Sequence, residues 1–457
     1  MNSLYNEVHT GGAHSANHSV CARPFSFASC RHVFRINRVK NLHLQNSSGS
    51  GSVLSAEQSI YIENEEQLLD FCEKIQDSKM LAIDTEFVRE RTYFHRLGLI
   101  QVASDDVCAA IDPISVPDLT PFLEIIKKPE ILKVFHAAKQ DLEIFYKLCG
   151  EAIGPIFDTQ IAASLVGWGA QISFAKIVQK VSKKHICKAH RYTDWCRRPL
   201  STGQIEYALD DVRYLTPVFW KLNAVVKKLN REEWVRGEML YLENPKSFQL
   251  NDPQKQFLRL KNIRSLNPKQ LAVLREITAW RELEAQSRDT LPKSIIRDET
   301  LLEVGRSTPT DMEGLRSLRG FHHKEIARSG KVLLKLIEDG LNCPDDQCPE
   351  LPNADSYTAP KGVEELLAAG VQIRSEELRI EPNVLADRKQ IHDFVKCYDR
   401  NENFENHFLF QSWRKKCIGE TLCGILEGRV VLAVGPQKKV ELVSRESELS
   451  GVASEGI

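Results

Sequence analysis

Ala82-Ile-Asp84-Thr-Glu86-Phe87 is the stretch on which the fold turns. Its acids alternate with apolar and β-branched residues, the period of a strand, which puts Asp84 and Glu86 on one face. Two carboxylates side by side repel each other and lose solvation, so a buried sheet avoids the pair unless a cation neutralises it. Hard oxygen ligands of this kind suit Mg²⁺ or Mn²⁺. Taken alone, the pattern also fits an exposed edge strand with solvated acids, and the rest of the chain has to decide.

Around this stretch, residues 80–87, 98–103, 107–111 and 132–135 read as short strands. Helices are expected at 65–76, with Leu68, Leu69, Cys72 and Ile75 on one side, and at 119–126 and 140–148. Strands alternating with helices imply an α/β domain. Further helices follow at 158–166, 174–181 and 204–228, the last opened by a Ser201-Thr-Gly-Gln204 capping box. Beyond that point only helices are expected, with a polar, loose tail after Gly435.

Two more signals accompany the acidic strand. In Val134-Phe-His136-Ala-Ala-Lys-Gln-Asp141-Leu-Glu-Ile-Phe145 a buried strand runs into a helix whose first turn carries Asp141. An acid there also simply suits the helix dipole, and His136 fits a backbone-bonded strand end equally well. In Glu206-Tyr207-Ala-Leu-Asp210-Asp211 the helix keeps Ile205, Leu209, Val212, Leu215 and Phe219 on an apolar stripe. Tyr207 and Asp211, four apart, share a face turned away from that stripe, as a functional pair or as a solvated one.

On an α/β frame, these three signals in this order resemble the ribonuclease D family, the DEDD 3′→5′ exonucleases with a tyrosine in the third motif. The first motif is similar to Ile83-Asp84-Thr-Glu86-Phe87-Val88-Arg89, running on to Thr92-Tyr93-Phe94 and Leu97-Gly-Leu-Ile-Gln101. The second resembles His136 to Phe145 followed by Asp158-Thr-Gln160, and the third Tyr207-Ala-Leu-Asp-Asp211, preceded by Thr193-Asp194-Trp195-Cys-Arg-Arg198. Residues 271–341, with Ala279-Trp280-Arg281 and Leu318-Arg-Gly320, look like a helicase-and-ribonuclease-D C-terminal (HRDC) domain. Ile380-Glu-Pro-Asn-Val-Leu-Ala-Asp-Arg388 and Gln411-Ser-Trp413-Arg414 resemble a second one. His95 departs from the family, which often has proline there.

The resemblance implies an α/β, ribonuclease H-like exonuclease domain with a mixed sheet, followed by two all-α HRDC-like helical domains. The expected layout is an extension at 1–56, exonuclease at 57–230, linker at 231–262, HRDC at 263–341, linker at 342–361, a second HRDC-like domain at 362–435 and a tail at 436–457. It also implies hydrolysis of RNA from the 3′ end to 5′-mononucleotides, with tRNA precursors as substrate. Two divalent ions, Mg²⁺ or Mn²⁺, would be held by Asp84, Glu86, Asp141 and Asp211, one activating water and the other stabilising the leaving oxygen. Tyr207 would orient the attacking water, since a phenol is a poor general base at neutral pH. A DNA exonuclease and a catalytically silent nucleic-acid binder are the alternatives.

Four acids repel phosphate, so substrate must be held elsewhere. The run 176–198 contains Lys176, Lys180, Lys183, Lys184, Lys188, Arg191, Arg197 and Arg198, interleaved with His185, His190, Tyr192 and Trp195. It reads as a phosphate track with stacking surfaces or as a solvated face. In the HRDC-like region Arg316, Arg319, Lys324, Arg328 and Lys331 raise the same pair of readings. Phe87 and Phe94 either stack on terminal bases or fill the core, and His136 belongs with the nucleic-acid-binding candidates.

Composition agrees. With 61 Lys+Arg against 62 Asp+Glu in 457 residues, binding by bulk positive charge is excluded. The balance nevertheless hides unlike parts: residues 57–130 hold 16 acids and 7 bases, residues 131–198 hold 5 acids and 11 bases. No apolar run is long enough for a membrane helix. Twelve scattered cysteines suggest reduced thiols, and Cys343-Pro-Asp-Asp-Gln-Cys348 lacks a second pair for zinc. A cytoplasmic monomer without a small-molecule cofactor is expected. Residues 1–56 are basic, Ser-rich and nearly acid-free, as in an organellar transit peptide or a stretch upstream of the true start, so an organellar matrix is the alternative.

Overall fold

The computed structural model describes residues 58–186, 190, 193–351 and 357–445. The extension at 1–56 and the end of the tail lie outside the described residues. One six-stranded sheet contains β1 (Ser59–Ile62), β2 (Met80–Val88), β3 (Arg96–Ala103), β4 (Cys108–Ile111), β5 (Leu132–Phe135) and β6 (Ile156–Asp158), in the order β1-β4-β3-β2-β5-β6. The central strand β2 is antiparallel to β3 and parallel to β5, which makes the sheet mixed. Met80-Leu-Ala-Ile83 is buried throughout, as a mid-sheet strand covered on both faces must be. The edge strands β1 and β6, with four and three residues, are too short to show a period and escape a reading by pattern.

Helices α1 (Glu65–Ile75), α2 (Thr120–Lys127), α3 (Lys139–Cys149), α4 (Thr159–Leu165), α5 (Phe174–Ser182), α6 (Thr202–Lys228) and α7 (Glu232–Leu242) flank the sheet. Asn64 caps α1, which buries Leu68, Phe71, Cys72 and Ile75. Leu69, expected on that side, is 55 % exposed, because the i, i+3, i+4, i+7 spacing selects Phe71 instead. Helix α6 starts from the expected Ser201–Gln204 capping box and lies across β2, β3 and β4. Its Phe219 meets Phe157 of β6 edge-on at 5.0 Å, while on the opposite face Phe145 of α3 packs on Phe135 of β5.

The pairing of β2 with β3 shifts register between Glu86 and Phe87, so Gly98 is an extra residue opposite them. A Cβ there would lie 2.6 Å from the Trp195 carbonyl oxygen. Only glycine lets the segment before α6 close onto β3 at this point.

The stretch 231–262 is more than a connector. Trp234 of α7 stacks on Trp413 at 4.5 Å, Glu238 accepts from Trp413 Nε1 and pairs with Arg414, and Arg231 donates to the carbonyls of Leu165 and Leu378. Its polar residues resemble a linker because they are spent at an interface with a later part of the chain.

The first helical module comprises α8 (Pro268–Ser287), α9 (Pro292–Ile295), α10 (Asp298–Ser307), α11 (Met312–Ser317) and α12 (His323–Leu341) around Leu274, Ile277, Leu301 and Leu333. It docks on the β2–β3 loop: Tyr93 donates to Glu282 at 2.5 Å, and Asp289 accepts from the Phe94 amide at 3.0 Å. The second module, α13 (Val363–Leu378), α14 (Pro382–Leu385), α15 (Arg388–Asp399) and α16 (Glu420–Leu426), repeats the order of long helix, one-turn proline-led helix, third helix. It is not purely helical. The antiparallel hairpin β7 (Val430–Val434) and β8 (Val440–Ser444) corrects the expectation of helices followed by a loose tail. Charged neighbours mask the short alternation in β8.

Candidate active site

Strand period and helical period converge at one end of β2. Asp84 and Glu86 leave the same face of the strand, and Asp211 descends on them from α6. One carboxylate oxygen from each lies within 4.8 Å of the others, the sole such group of potential metal ligands among the described residues. They open into a cavity of about 360 Å³ whose wall includes His136, Phe174 and Tyr207. Asp141 is not in that trio. It is buried in the first turn of α3, close enough for its charge to act on Asp84 and Glu86, and the Thr85 hydroxyl donates to its Oδ1. Thr85 points away from the Asp84 face, so it serves as the peg for the fourth acid. The positive φ of Ala137 (62°) makes the tight turn into α3, locked by the Ala137 and Ala138 amides donating to Asp158.

The carboxyls impede one another's ionisation. Burial, then the nearby charges of Asp211, Asp141 and Glu86, pushes Asp84 well above the usual carboxylate range. Burial, helped by Asp211 and Asp141, raises Glu86 to about 9. Burial also lifts Asp211 to about 7, with Asp210 adding to it. Asp141 is raised to about 7 by burial in spite of the Thr85 hydrogen bond. A donor set of carboxylate oxygens in need of positive charge fits hard divalent cations.

Tyr207 stands one helical turn before Asp211 and stacks on Trp195 with ring centroids 6.1 Å apart. His136 has Nδ1 2.9 Å from Thr159 Oγ1, its ring tilted against Phe174, and its Nε2 buried with no hydrogen-bond partner. Burial lowers its pKa, leaving a neutral ring in the cavity wall. Phe87 is half-buried edge-on to His95 at 4.6 Å and is absent from that wall.

Two nucleic-acid-binding candidates are corrected. Trp195 is 2 % exposed and supports Tyr207 from below, so no base reaches it. Arg198 grips Asp112 with two 2.6 Å hydrogen bonds and donates its remaining N–H groups to the carbonyls of Gly98, Trp195 and Arg197. A guanidinium so engaged has nothing to offer phosphate. Lys183 and Lys184 are exposed just past α5. With Lys176, Lys180, His185 and Trp168, Lys183 lines a shallow depression next to the acidic cavity, and Lys180 lies over the Trp168 ring. Lys188 and Arg191 lie outside the described residues. Sequence patterning misses Thr85 and Phe174; the Asp158-Thr-Gln160 motif is the signal that points to the Asp158 lock.

The comparisons agree with this geometry. Residues 59–227 match the family model for 3′-5′ exonuclease and residues 270–337 that for the HRDC domain. The chain is 35 % identical over 387 residues to ribonuclease D of Granulibacter bethesdensis, covering 84 % of this chain and 96 % of that protein. It is 34 % identical to ribonuclease D of Acidiphilium cryptum, with 84 % and 97 % covered. The crystal structure of Escherichia coli ribonuclease D superposes with a TM-score of 0.72 at 31 % identity, over 80 % of this chain and 98 % of that one. The similarity thus runs along nearly the full length of these relatives, and the chain, with its mixed-sheet exonuclease domain followed by an HRDC bundle, belongs to the ribonuclease D family of 3′→5′ exoribonucleases.

Proposed function

We propose that this chain trims the 3′ ends of structured RNA, tRNA precursors among them, releasing 5′-mononucleotides with two Mg²⁺ or Mn²⁺ ions held by Asp84, Glu86, Asp141 and Asp211. The observation that carries the reading is the trio of carboxylates within 4.8 Å, which a buried site tolerates best with cations present. When bound, such ions supply a water ionised at neutral pH and positive charge for the leaving 3′-oxygen. The residues supply rigidity: a central strand presents Asp84 and Glu86, the capped α6 presents Asp211, and Thr85 fixes Asp141. The Escherichia coli relative is an exoribonuclease involved in structured RNA processing, and the lysine-lined depression beside the acids supports a polyanionic substrate here. The nine described cysteines are free, in keeping with the reducing cytoplasm.

Tyr207 orients the attacking water, with Trp195 fixing the plane of its ring. Tyr207→Phe is expected to lower kcat by about 10²-fold with KM nearly unchanged. Steady-state kinetics on a 3′-extended tRNA precursor measure it, and a mutant with wild-type kcat removes Tyr207 from the reaction.

The raised carboxyls predict a link between metal and stability. In EDTA the folded chain retains protons that the unfolded chain has released, between the ordinary carboxyl value and about 7 for Asp141 and Asp211 or about 9 for Glu86. Stability therefore falls as pH rises through that window. Melting temperatures in EDTA should decline from about pH 5 to pH 9, and excess Mg²⁺ should recover most of the loss at the upper end. Identical melting curves with and without Mg²⁺ at high pH would contradict the ligand assignment.

A further inference from the structure

A cavity of about 1320 Å³ lies away from the acidic cluster, at the seam between the exonuclease domain and the HRDC bundle. Its walls come from the β2–β3 loop, helix α3, the segment following α7, and Glu282, Leu291 and Pro292 of the bundle. That volume exceeds the ~300–1,000 Å³ of small-molecule pockets, so a polymer is the fitting occupant.

The lining has the chemistry of a phosphate chain with attached rings. Arg89, Lys139, Lys147 and Arg259 face two acids, Glu143 and Glu282. Both acids are engaged: Glu143 lies 3.8 Å from Arg89, and Glu282 accepts from Tyr93. Lys139, Lys147 and Arg259 have no carboxylate within ion-pair distance among the described residues; Lys147 sits over the Phe94 ring, and Arg259 donates to the Asn251 amide oxygen. Beside them Tyr146 and Phe248 stack at 5.4 Å, and Leu250, 56 % exposed, leaves further apolar surface uncovered. Unpaired cations interleaved with aromatic rings bind single-stranded nucleic acid through phosphate contacts and stacking.

Two elements run from the acidic site to this cavity. Arg89 follows Glu86 by three residues, and Asp141 sits on α3 between Lys139 and Glu143. From Lys139 to Lys147 the helix advances about 12 Å, a span longer than one nucleotide, leading from the acids toward the bundle.

We propose that this seam cavity holds the RNA strand upstream of the 3′-terminal nucleotide, independently of base identity, with Lys139, Lys147 and Arg259 on phosphates and Phe248 under a base. The proposal rests on the exonuclease reading above and says how the HRDC bundle contributes: its wall closes a second holding site that only longer substrates reach.

The test is the full-length triple variant Lys139→Ala/Lys147→Ala/Arg259→Ala against wild type, on a fluorescently labelled 12-nucleotide RNA and on a trinucleotide. Affinity is read in EDTA by fluorescence anisotropy, and turnover with Mg²⁺. Expected are a Kd for the 12-mer raised ~10-fold or more and a plot of log K against log salt shallower by about 2, from three lost phosphate contacts at ~0.7 each. Trinucleotide turnover should be unchanged. Phe248→Ala, which leaves every charge in place, should weaken 12-mer binding several-fold with the salt slope intact. Wild-type affinity and slope in the triple variant overturn the proposal, as does equal weakening toward the trinucleotide. If wild type binds the 12-mer but hydrolyses neither RNA, the exonuclease reading fails while the binding result still judges the seam.

Discussion

Asp84→Asn or Asp211→Asn is expected to reduce release of 5′-mononucleotides from a 3′-extended tRNA precursor by ~10³-fold or more, with RNA affinity in EDTA changed less than twofold. Asparagine keeps the shape of the carboxylate and removes its charge, so the loss measures charge at the site. The size follows from position: Asp84 and Asp211 belong to the trio within 4.8 Å, where the charge of Asp211 raises the proton affinity of both Asp84 and Glu86. The same crowding gives the prediction a second edge. Deleting one charge relieves repulsion in the metal-free protein, so either variant should melt no lower than wild type in EDTA above pH 7, while gaining less from Mg²⁺. A variant that is inactive because it has unfolded would melt lower and is thereby distinguished. Hydrolysis retained in both variants would remove these acids from the reaction.

The parts legible in the sequence are those where the period of one element settles the outcome. Asp84 and Glu86 had to share a face because β2 is a strand, and Tyr207 and Asp211 because α6 is a helix. A buried apolar core on one side of each left little choice of direction. What was hidden depends on pairing between distant residues. The basic run 176–198 looks uniform, yet Arg198 is consumed by Asp112, 86 residues earlier, while Lys183 stays exposed. Trp195 reads as a stacking surface by composition, and its burial follows from Gly98, whose missing side chain admits the Trp195 backbone. Likewise α7 resembles a polar linker until Trp413 and Arg414 appear opposite Trp234 and Glu238. Charge pattern counts groups; it does not say which have already been neutralised.

That distinction makes Asp112 the residue outside the acidic cluster whose loss should matter most. Its side chain is 1 % exposed and receives two hydrogen bonds from Arg198, one from Tyr61, one from the Ser115 hydroxyl and one from the Ile114 amide. Burial works against the charge, but these donors outweigh it and hold the carboxyl far below its usual range. A carboxyl held low contributes stability above its unfolded value and loses it only as pH falls toward the folded one, so the clamp persists through neutral and mildly acidic pH. Asp112→Ala strands Arg198 against the Gly98 and Trp195 carbonyls with no counter-charge, at an expected cost of about 3–5 kcal/mol. Arg198→Met in the same chain removes the orphaned cation, so the double variant should be more stable than Asp112→Ala alone. Urea denaturation followed by tryptophan fluorescence compares the three proteins. The clamp also holds Trp195 beneath Tyr207, so the double variant should regain stability without regaining full kcat, whereas loss of either charge partner in a merely solvating pair would change neither quantity. A cost below about 1 kcal/mol for Asp112→Ala would place the pair among ordinary surface ion pairs. It would then leave the position of Trp195 to packing against β3 alone.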